Sequence, residues 1–217
     1  MKRKGKRSKN FIEGLPTSSI SRSTRSKDNM ERVGIYVGSF NPVHKGHIAI
    51  ARACIKEGFV DKVRIIATGD YWDKKNMYPL KERIAMLKLA AKKGIVIDET
   101  YNEYPYTYQI FRQLTKDYPD KQFYLILGAD NLPKFDQWQN YKELLDYGFI
   151  ILPRDEIRKE EIDRIMKDLH KDNYQILKRR MIHISSTYIR EHLDDYEAIK
   201  DMIDKKVYQY LIKMERS

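Results

Sequence analysis

The chain has 217 residues, 41% of them apolar and 34% charged, which suits one globular domain with or without a tail. Its mean hydropathy of −0.69 and the lack of an apolar run of about 18 residues exclude a membrane span, so we expect a soluble, cytoplasmic protein. A single cysteine, Cys54, excludes an internal disulfide and a thiolate zinc finger.

The net charge of +11 is unevenly distributed along the chain. Residues 1–30 carry nine Lys/Arg against Glu13 and Asp28, a net charge of +7, whereas residues 31–217 carry +4. Residues 1–30 also hold six serines and show little hydrophobic periodicity. We therefore expect a basic, disordered leader over 1–30 and one folded domain over 31–217. This distribution argues against a nucleic-acid-binding domain, and only the leader is basic enough to attract RNA or DNA.

Six short β-branched or aromatic runs alternate with longer helical stretches. They predict strands at Val33–Val37, Val63–Ala67, Ile95–Ile97, Phe123–Leu127, Phe149–Leu152 and Met181–Ile184. Runs such as Phe149–Leu152 are unbroken, which is typical of strands covered on both faces. Strands that alternate with helices predict an α/β fold with a Rossmann-like, doubly wound parallel sheet.

Two helices have clear boundaries in the sequence. One is predicted over Pro79–Lys93, with Pro79 in its first turn and Gly94 as its C-terminal cap. The other is predicted to begin at Thr107 and to end before Pro119.

The first strand leads into Gly-Ser-Phe-Asn-Pro-Val-His-Lys-Gly-His at 38–47, and a helix follows. Gly38 lets a ligand approach the backbone closely, and His44 and His47 lie on one helical face. Free N–H groups and the positive end of the helix dipole make this a predicted anion site. Two other interpretations stay open: the histidines cap or pack the helix, or they bind a metal with Cys54 or His183.

A second cluster of hydrogen-bonding residues, Ile-Ser-Ser-Thr-Tyr-Ile-Arg at 184–190, stands near the C-terminus. Ser185, Ser186 and Thr187 offer helix caps and donors, and Arg190 lies one turn further on, within reach of the same anion. Taken alone, this cluster is better explained as an ordinary helix cap followed by a surface arginine.

Taken together, the two motifs resemble those of the nucleotidylyltransferase superfamily, in its adenylyltransferase branch. Tyr106-Thr107, Gly128-Ala129-Asp130 and Trp138 are similar to motifs of the nicotinate and nicotinamide mononucleotide adenylyltransferases, and Val207–Leu211 fits the closing helix of that family. The resemblance covers residues 32–212.

The resemblance implies transfer of AMP from ATP to a pyridine mononucleotide, with release of pyrophosphate, in NAD biosynthesis. It assigns His47, His44 and Arg190 to catalysis. The residues that it assigns to ATP are Gly38, Ser39, Phe40, His44, His47, Ser185, Ser186, Thr187 and Arg190. Those that it assigns to the mononucleotide are Lys74, Lys75, Tyr106, Thr107, Gly128, Asp130 and Trp138. Mg²⁺ is expected on the ATP phosphates, with no protein metal ligands, and a homo-oligomer is compatible with the sequence.

One segment departs from the bacterial pattern. Bacterial members usually carry Pro-Pro-His-Lys after the second strand, whereas Thr68–Asn76 here is similar to the Gly-Asp-x-Tyr-x-Lys-Lys loop of animal enzymes, which accept both mononucleotides. The N–H groups of residues 107–109, at the start of a predicted helix, argue instead for a preference for the acid. Such donors should favour a pyridine carboxylate over the neutral amide. We expect nicotinate mononucleotide to be preferred, with some activity on the amide. The alternatives are a phosphopantetheine adenylyltransferase of coenzyme A biosynthesis and a non-catalytic nucleotide-sensing regulator that acts through its leader.

Overall fold

The computed structural model describes residues 29–70, 76–153, 157–178 and 184–216. Its centre is a six-stranded sheet in the order β3-β2-β1-β4-β5-β6, and every neighbouring pair is parallel. The strands are β1 Glu31–Gly38, β2 Lys62–Ala67, β3 Ile95–Ile97, β4 Lys121–Gly128, β5 Gly148–Leu152 and β6 Tyr174–Ile176. The strand order reverses between β1 and β4, so the predicted doubly wound sheet is confirmed.

Helices connect the strands and follow the last one. They are α1 Lys45–Lys56, α2 Leu80–Ala90, α3 Thr107–Asp117, a 3₁₀ helix Ala129–Gln137, α4 Tyr141–Leu144, α5 Lys159–Asp168, α6 Ser186–Glu191, α7 Tyr196–Ile199 and α8 Lys205–Glu215. In the four described ranges, no helix is long and apolar enough to cross a membrane.

The hydrophobic core lies on both faces of the sheet. On one face, Ile65 and Ile126 pack with residues of α1, α2 and α8. On the other face, Ile35 and Leu125 pack with residues of α3, α5 and the 3₁₀ helix. Neighbouring residues of one strand serve opposite faces, as Leu125 and Ile126 do, which explains why the strand sequences are unbroken apolar runs.

The structure corrects two of the predicted elements. The sixth strand is Tyr174–Ile176, whereas Met181–His183 lie outside the described residues and Ile184 belongs to no strand. Three residues with glutamine in the middle give almost no strand pattern.

The other correction concerns α2, which is shorter than predicted. Pro79 is its N-cap rather than part of its first turn, and the helix ends at Ala90 because Ala91 has extended backbone (ψ 145°). Gly94, at φ +84°, forms the turn into β3 instead of capping the helix. By contrast, α3 runs from Thr107 to Asp117, as predicted.

Candidate active site

The turn that begins at the last residue of β1, residues 38–42, lies at the carboxyl ends of the parallel strands. Phe40 has a left-handed backbone (φ +49°) although it is not glycine, and its ring is buried. That ring stands edge-on to Tyr36 and His47, at centroid distances of 5.3 and 5.0 Å. A Cβ at Gly38 would lie 3.1 Å from the Phe40 ring, a tight contact, so a larger residue here would press on that ring.

The carbonyl groups of this turn accept hydrogen bonds from distant parts of the chain. The N–H of Thr68 donates to the Gly38 carbonyl at 2.9 Å. The hydroxyl of Ser186 donates to the Pro42 carbonyl at 3.0 Å, and Nη1 of Arg190 donates to the Asn41 carbonyl. The structure therefore brings together the two motifs that the sequence singled out at opposite ends of the domain.

His44 and His47 form a reciprocal cap at the start of α1. Nδ1 of His44 accepts from the N–H of His47 at 3.4 Å, and Nδ1 of His47 accepts from the N–H of His44 at 3.3 Å. The two rings stack with a centroid distance of 3.6 Å, and a Cβ at Gly46 would come within 3.0 Å of the His44 ring. Because Nδ1 is an acceptor in both rings, the proton of each neutral imidazole belongs on Nε2, which makes both Nε2 atoms donors.

The N–H groups at the start of α1 are expected from the sequence to be free, but two of them already donate hydrogen bonds within the protein. The N–H of Lys45 donates to the Met202 carbonyl at 2.8 Å, and that of His47 is used in the reciprocal cap. The backbone between α7 and α8 therefore closes this helix terminus, and the capping interpretation of the two histidines is correct. An anion at this point must be met largely by side chains.

A metal site is not formed by the described part of the chain. No three His, Cys, Asp or Glu side chains in these ranges come close enough together to hold a metal ion. Cys54 is completely buried, and burial raises the pKa of its thiol to about 12. His183, the other proposed partner, lies outside the described residues.

In the second motif, each hydroxyl has a defined contact. Ser185 is the N-cap of α6, and its Oγ accepts from the N–H of Tyr188 at 3.3 Å. The Ser186 hydroxyl donates to the Pro42 carbonyl, and Oγ1 of Thr187 accepts from Nη2 of Arg190 at 3.1 Å. The predicted capping role is confirmed for Ser185, while Thr187 keeps its own proton for donation.

The predicted mononucleotide side begins at α3. The N-cap Tyr106 and Gln109 bond to each other, since the N–H of Tyr106 donates to Oε1 of Gln109 at 3.2 Å and the N–H of Gln109 donates to the Tyr106 carbonyl at 3.0 Å. The N–H of Gln109 is therefore not available, contrary to expectation. Those of Thr107 and Tyr108 have no acceptor among the residues that the structure describes.

The remaining predicted residues lie near the end of β4. Gly128 is the last residue of that strand, and Asp130 is exposed in the first turn of the 3₁₀ helix. Trp138 is half-buried, with its ring centroid 5.3 Å from that of Phe135, so it also serves the core. Lys74 and Lys75 lie outside the described residues.

Sequence reasoning missed the role of one buried side chain in the turn. Nδ2 of Asn41 donates to the Asn76 carbonyl at 2.9 Å, and its Oδ1 accepts from the N–H of Tyr78 at 2.8 Å. The Asn-Pro pair indicated only a turn, and the peptide bond between them is cis. The segment that approaches α2 is thus fixed to the first motif.

Comparison with known proteins agrees with this geometry. Residues 35–192 match the family model described as cytidylyltransferase-like, so the chain belongs to that family. Two relatives, from Endomicrobium trichonymphae and from Fusobacterium nucleatum subsp. nucleatum, are each named probable nicotinate-nucleotide adenylyltransferase and are 33% identical to this chain. The first alignment covers 85% of this chain and 97% of the relative, and the second covers 84% and 97%. The resemblance to the nicotinate mononucleotide adenylyltransferases is confirmed.

The fold has a close structural counterpart. A solved structure of Plasmodium falciparum nicotinic acid mononucleotide adenylyltransferase complexed with NaAD superposes with a TM-score of 0.72. It covers 85% of this chain and 96% of the other, at 21% identity, which establishes the shared fold.

Proposed function

We propose that this chain transfers the adenylyl group of ATP to nicotinate mononucleotide, which forms deamido-NAD and pyrophosphate in NAD biosynthesis. The observation that carries the proposal is the contact of Ser186 and Arg190 with the turn that precedes the histidine pair. These contacts collect a cation, a hydroxyl and two imidazoles at the carboxyl edge of the sheet, where ligands of such sheets bind. Because ATP and its acceptor are small metabolites of the cell interior, we place the reaction in the cytoplasm.

The attacking group needs no general base. The 5′-phosphate of the mononucleotide has a second pKa near ~6, so at neutral pH one of its oxygens is already an anionic nucleophile. That oxygen forms a bond to the α-phosphorus of ATP, while the bond from the α-phosphorus to the bridging oxygen breaks and its electron pair leaves with pyrophosphate. The protein then has to align the groups and stabilise phosphate charge.

The side chains of the two motifs suit that task. The Nε2 donors of His44 and His47 would bind the ATP phosphates, with His47 nearest the α-phosphorus. Thr187 and Arg190, with Ser185 and Ser186 shaping the loop, would hold the β- and γ-phosphates. The leaving pyrophosphate gains negative charge, so Arg190 should bind the transition state more strongly than the ground state. Mg²⁺ would arrive with ATP as part of that substrate.

The mononucleotide would bind beside α3 and the end of β4. The N–H groups of Thr107 and Tyr108 suit the pyridine carboxylate, because a charged acceptor gains more from such donors than a neutral amide does. Trp138 offers a ring face for the pyridine, and Asp130 an acceptor for the ribose. Lys74 or Lys75 would contact the phosphate. We expect a preference for the acid of about 10-fold or more in kcat/KM, with measurable activity on the amide.

The test is pyrophosphate release from ATP in the presence of nicotinate mononucleotide, nicotinamide mononucleotide or phosphopantetheine. The acid should be the best acceptor, and the amide a slower one. Turnover of phosphopantetheine alone would replace the proposal by the coenzyme A reaction. No turnover with any acceptor, together with measurable ATP binding, would favour a nucleotide-sensing regulator.

A matched pair of variants tests the role of α3. Thr107→Pro removes one N–H donor at the first helical position, which tolerates proline, and Tyr106 already has the extended backbone that must precede it (φ −122°, ψ 139°). Thr107→Ala keeps the N–H and removes only the hydroxyl. The proline variant should move the acid-to-amide ratio towards one, whereas the alanine variant should keep it. An unchanged ratio in Thr107→Pro would contradict the role of this helix terminus.

A further inference from the structure

Helix α2 carries an arginine in the interior of the protein. Arg83 has 0% exposure and lies on the same face of the helix as the buried Leu87 and Ala90. A buried charge is costly unless hydrogen bonds and a counter-charge compensate it. Arg83 belongs to neither of the two motifs, so its burial calls for a separate explanation.

The guanidinium of Arg83 joins three segments of the chain. Its Nη1 donates to the Ser39 carbonyl at 2.8 Å, and its Nε donates to the Tyr78 carbonyl at 2.8 Å. Its Nη2 donates to Oδ1 of Asp70 at 2.6 Å, and the other oxygen of Asp70 accepts from the N–H of Leu80 at 3.0 Å. One side chain of α2 therefore ties the turn after β1 to Asp70 and Tyr78, at the two ends of the segment that joins β2 to α2.

The bond to Ser39 lies next to a strained residue. The left-handed backbone of Phe40 is unfavourable for a residue that is not glycine, and such a conformation persists only where the surroundings enforce it. Arg83 holds the carbonyl on one side of Phe40, and Arg190 holds the carbonyl of Asn41 on the other. The Phe40 ring, kept in place by this backbone, packs against His47.

We propose that Arg83 is a positioning residue, which holds the ATP-binding turn in its active conformation through the Ser39 carbonyl. The inference rests on the proposed adenylyltransferase function and deepens it. Because Arg83 acts on the turn and through it on His47, its loss should lower kcat and raise KM for ATP. The KM for the mononucleotide should change little.

Two variants separate positioning from general stability. Arg83→Lys keeps the positive charge, but a single ammonium cannot reach three acceptors in the geometry of a planar fork. Asp70→Ala removes the counter-charge, yet it leaves the bonds from Arg83 to Ser39 and Tyr78 in place. Both variants should melt at a lower temperature than the wild type, and only the first should lose activity strongly.

The measurement is steady-state kinetics in both substrates, with melting curves for each variant. We expect kcat/KM for ATP to fall about 30-fold or more in Arg83→Lys, as for a misplaced catalytic group, and to stay within about 3-fold of the wild type in Asp70→Ala. If Arg83→Lys shows no cooperative melting, Arg83→Gln takes its place, because a neutral amide needs no counter-charge and reaches fewer acceptors.

The outcomes distinguish this inference from the function on which it rests. A wild-type protein that releases no pyrophosphate with any acceptor overturns the proposed function before a variant is made. Normal kcat and KM for ATP in a folded Arg83 variant, with an active wild type, overturn the positioning role alone. The positioning role is also overturned if kcat/KM for ATP falls in proportion to the melting temperature in both the Arg83 and the Asp70 variants. Such losses would show a structural role only.

Discussion

Arg190 donates a hydrogen bond to the carbonyl oxygen of Asn41, which lies 149 positions earlier in the chain. A second nitrogen of the same guanidinium donates to Oγ1 of Thr187. Arg190 is therefore oriented by both motifs at once, with its planar fork fixed against the backbone of the turn. A charge held in this way loses little conformational freedom when a phosphate reaches it.

Replacing Arg190 should mainly affect catalysis. If Arg190 has the proposed role of meeting the charge that develops on pyrophosphate, Arg190→Ala should lower kcat about 10²-fold or more. Arg190→Lys should recover only part of this loss, since an ammonium cannot serve the turn, Thr187 and the phosphate together. Steady-state kinetics in ATP measure the effect, and Arg164→Ala, an exposed arginine of α5, is the control. A rise in KM for ATP with unchanged kcat would show that Arg190 only binds the ground state.

His47 should also act on the transition state. Removing its Nε2 donor in His47→Ala should lower kcat roughly 10²-fold or more with a modest change in KM for ATP. The variant also loses the acceptor for the N–H of His44, so it should lose about 1 kcal/mol of stability. His170→Asn, which changes an exposed histidine after α5 that also has a left-handed backbone, should leave both quantities near their wild-type values. Intact kcat in His47→Ala would refute the role.

Tyr78 should make the folded protein sensitive to alkali. Burial, with a hydrogen bond to Glu215 and its negative charge, raises the pKa of Tyr78 to about 12, compared with about 10 in an unfolded chain. Between these values the folded state binds more protons than the unfolded state, so the free energy of unfolding should fall as the pH rises from about 10 to about 12. Denaturant unfolding at several pH values measures the slope. In Tyr78→Phe the slope should be shallower, and an identical slope would mean that Tyr78 does not titrate in this way.

The basic leader should be dispensable for folding and turnover. Nine basic residues and six serines within residues 1–30, without a core pattern, motivate this hypothesis. A chain that begins at Met30 should melt within about 2 °C of the full chain and keep its kcat, as expected where no core packing is removed. Melting curves and pyrophosphate release measure this. A large loss of either property in the shorter chain would assign the leader to the folded domain.

The sequence predicts the sheet well because its strands are covered on both faces. Unbroken runs such as Phe149–Leu152 indicate buried strands, whereas Tyr174–Ile176 at the sheet edge has too few apolar residues to be recognised. A signal for Arg83 was present, because it stands four and seven residues before Leu87 and Ala90 on the apolar stripe of a predicted helix. A charge on such a stripe indicates a buried polar contact.

The donors that remain available to a ligand could be predicted only in part from the sequence. The Met202 carbonyl that takes the N–H of Lys45 comes from a distant segment, and its approach depends on the packing of the finished domain. The same holds for the Ser186 hydroxyl, which is directed to the Pro42 carbonyl. Local sequence indicates which groups can donate, while tertiary packing determines where each of them donates.

The closure of the α1 terminus by Met202 has a consequence for biosynthesis. The turn and the histidine pair leave the ribosome early, but the residues that fix them, from Ser186 to Met202, are among the last to be made. Since contacts so distant in sequence form only after a long loop has closed, the nascent chain cannot present an ordered nucleotide site while its final helices are still being synthesised. Translation thus has to be almost finished before the site can take its final shape.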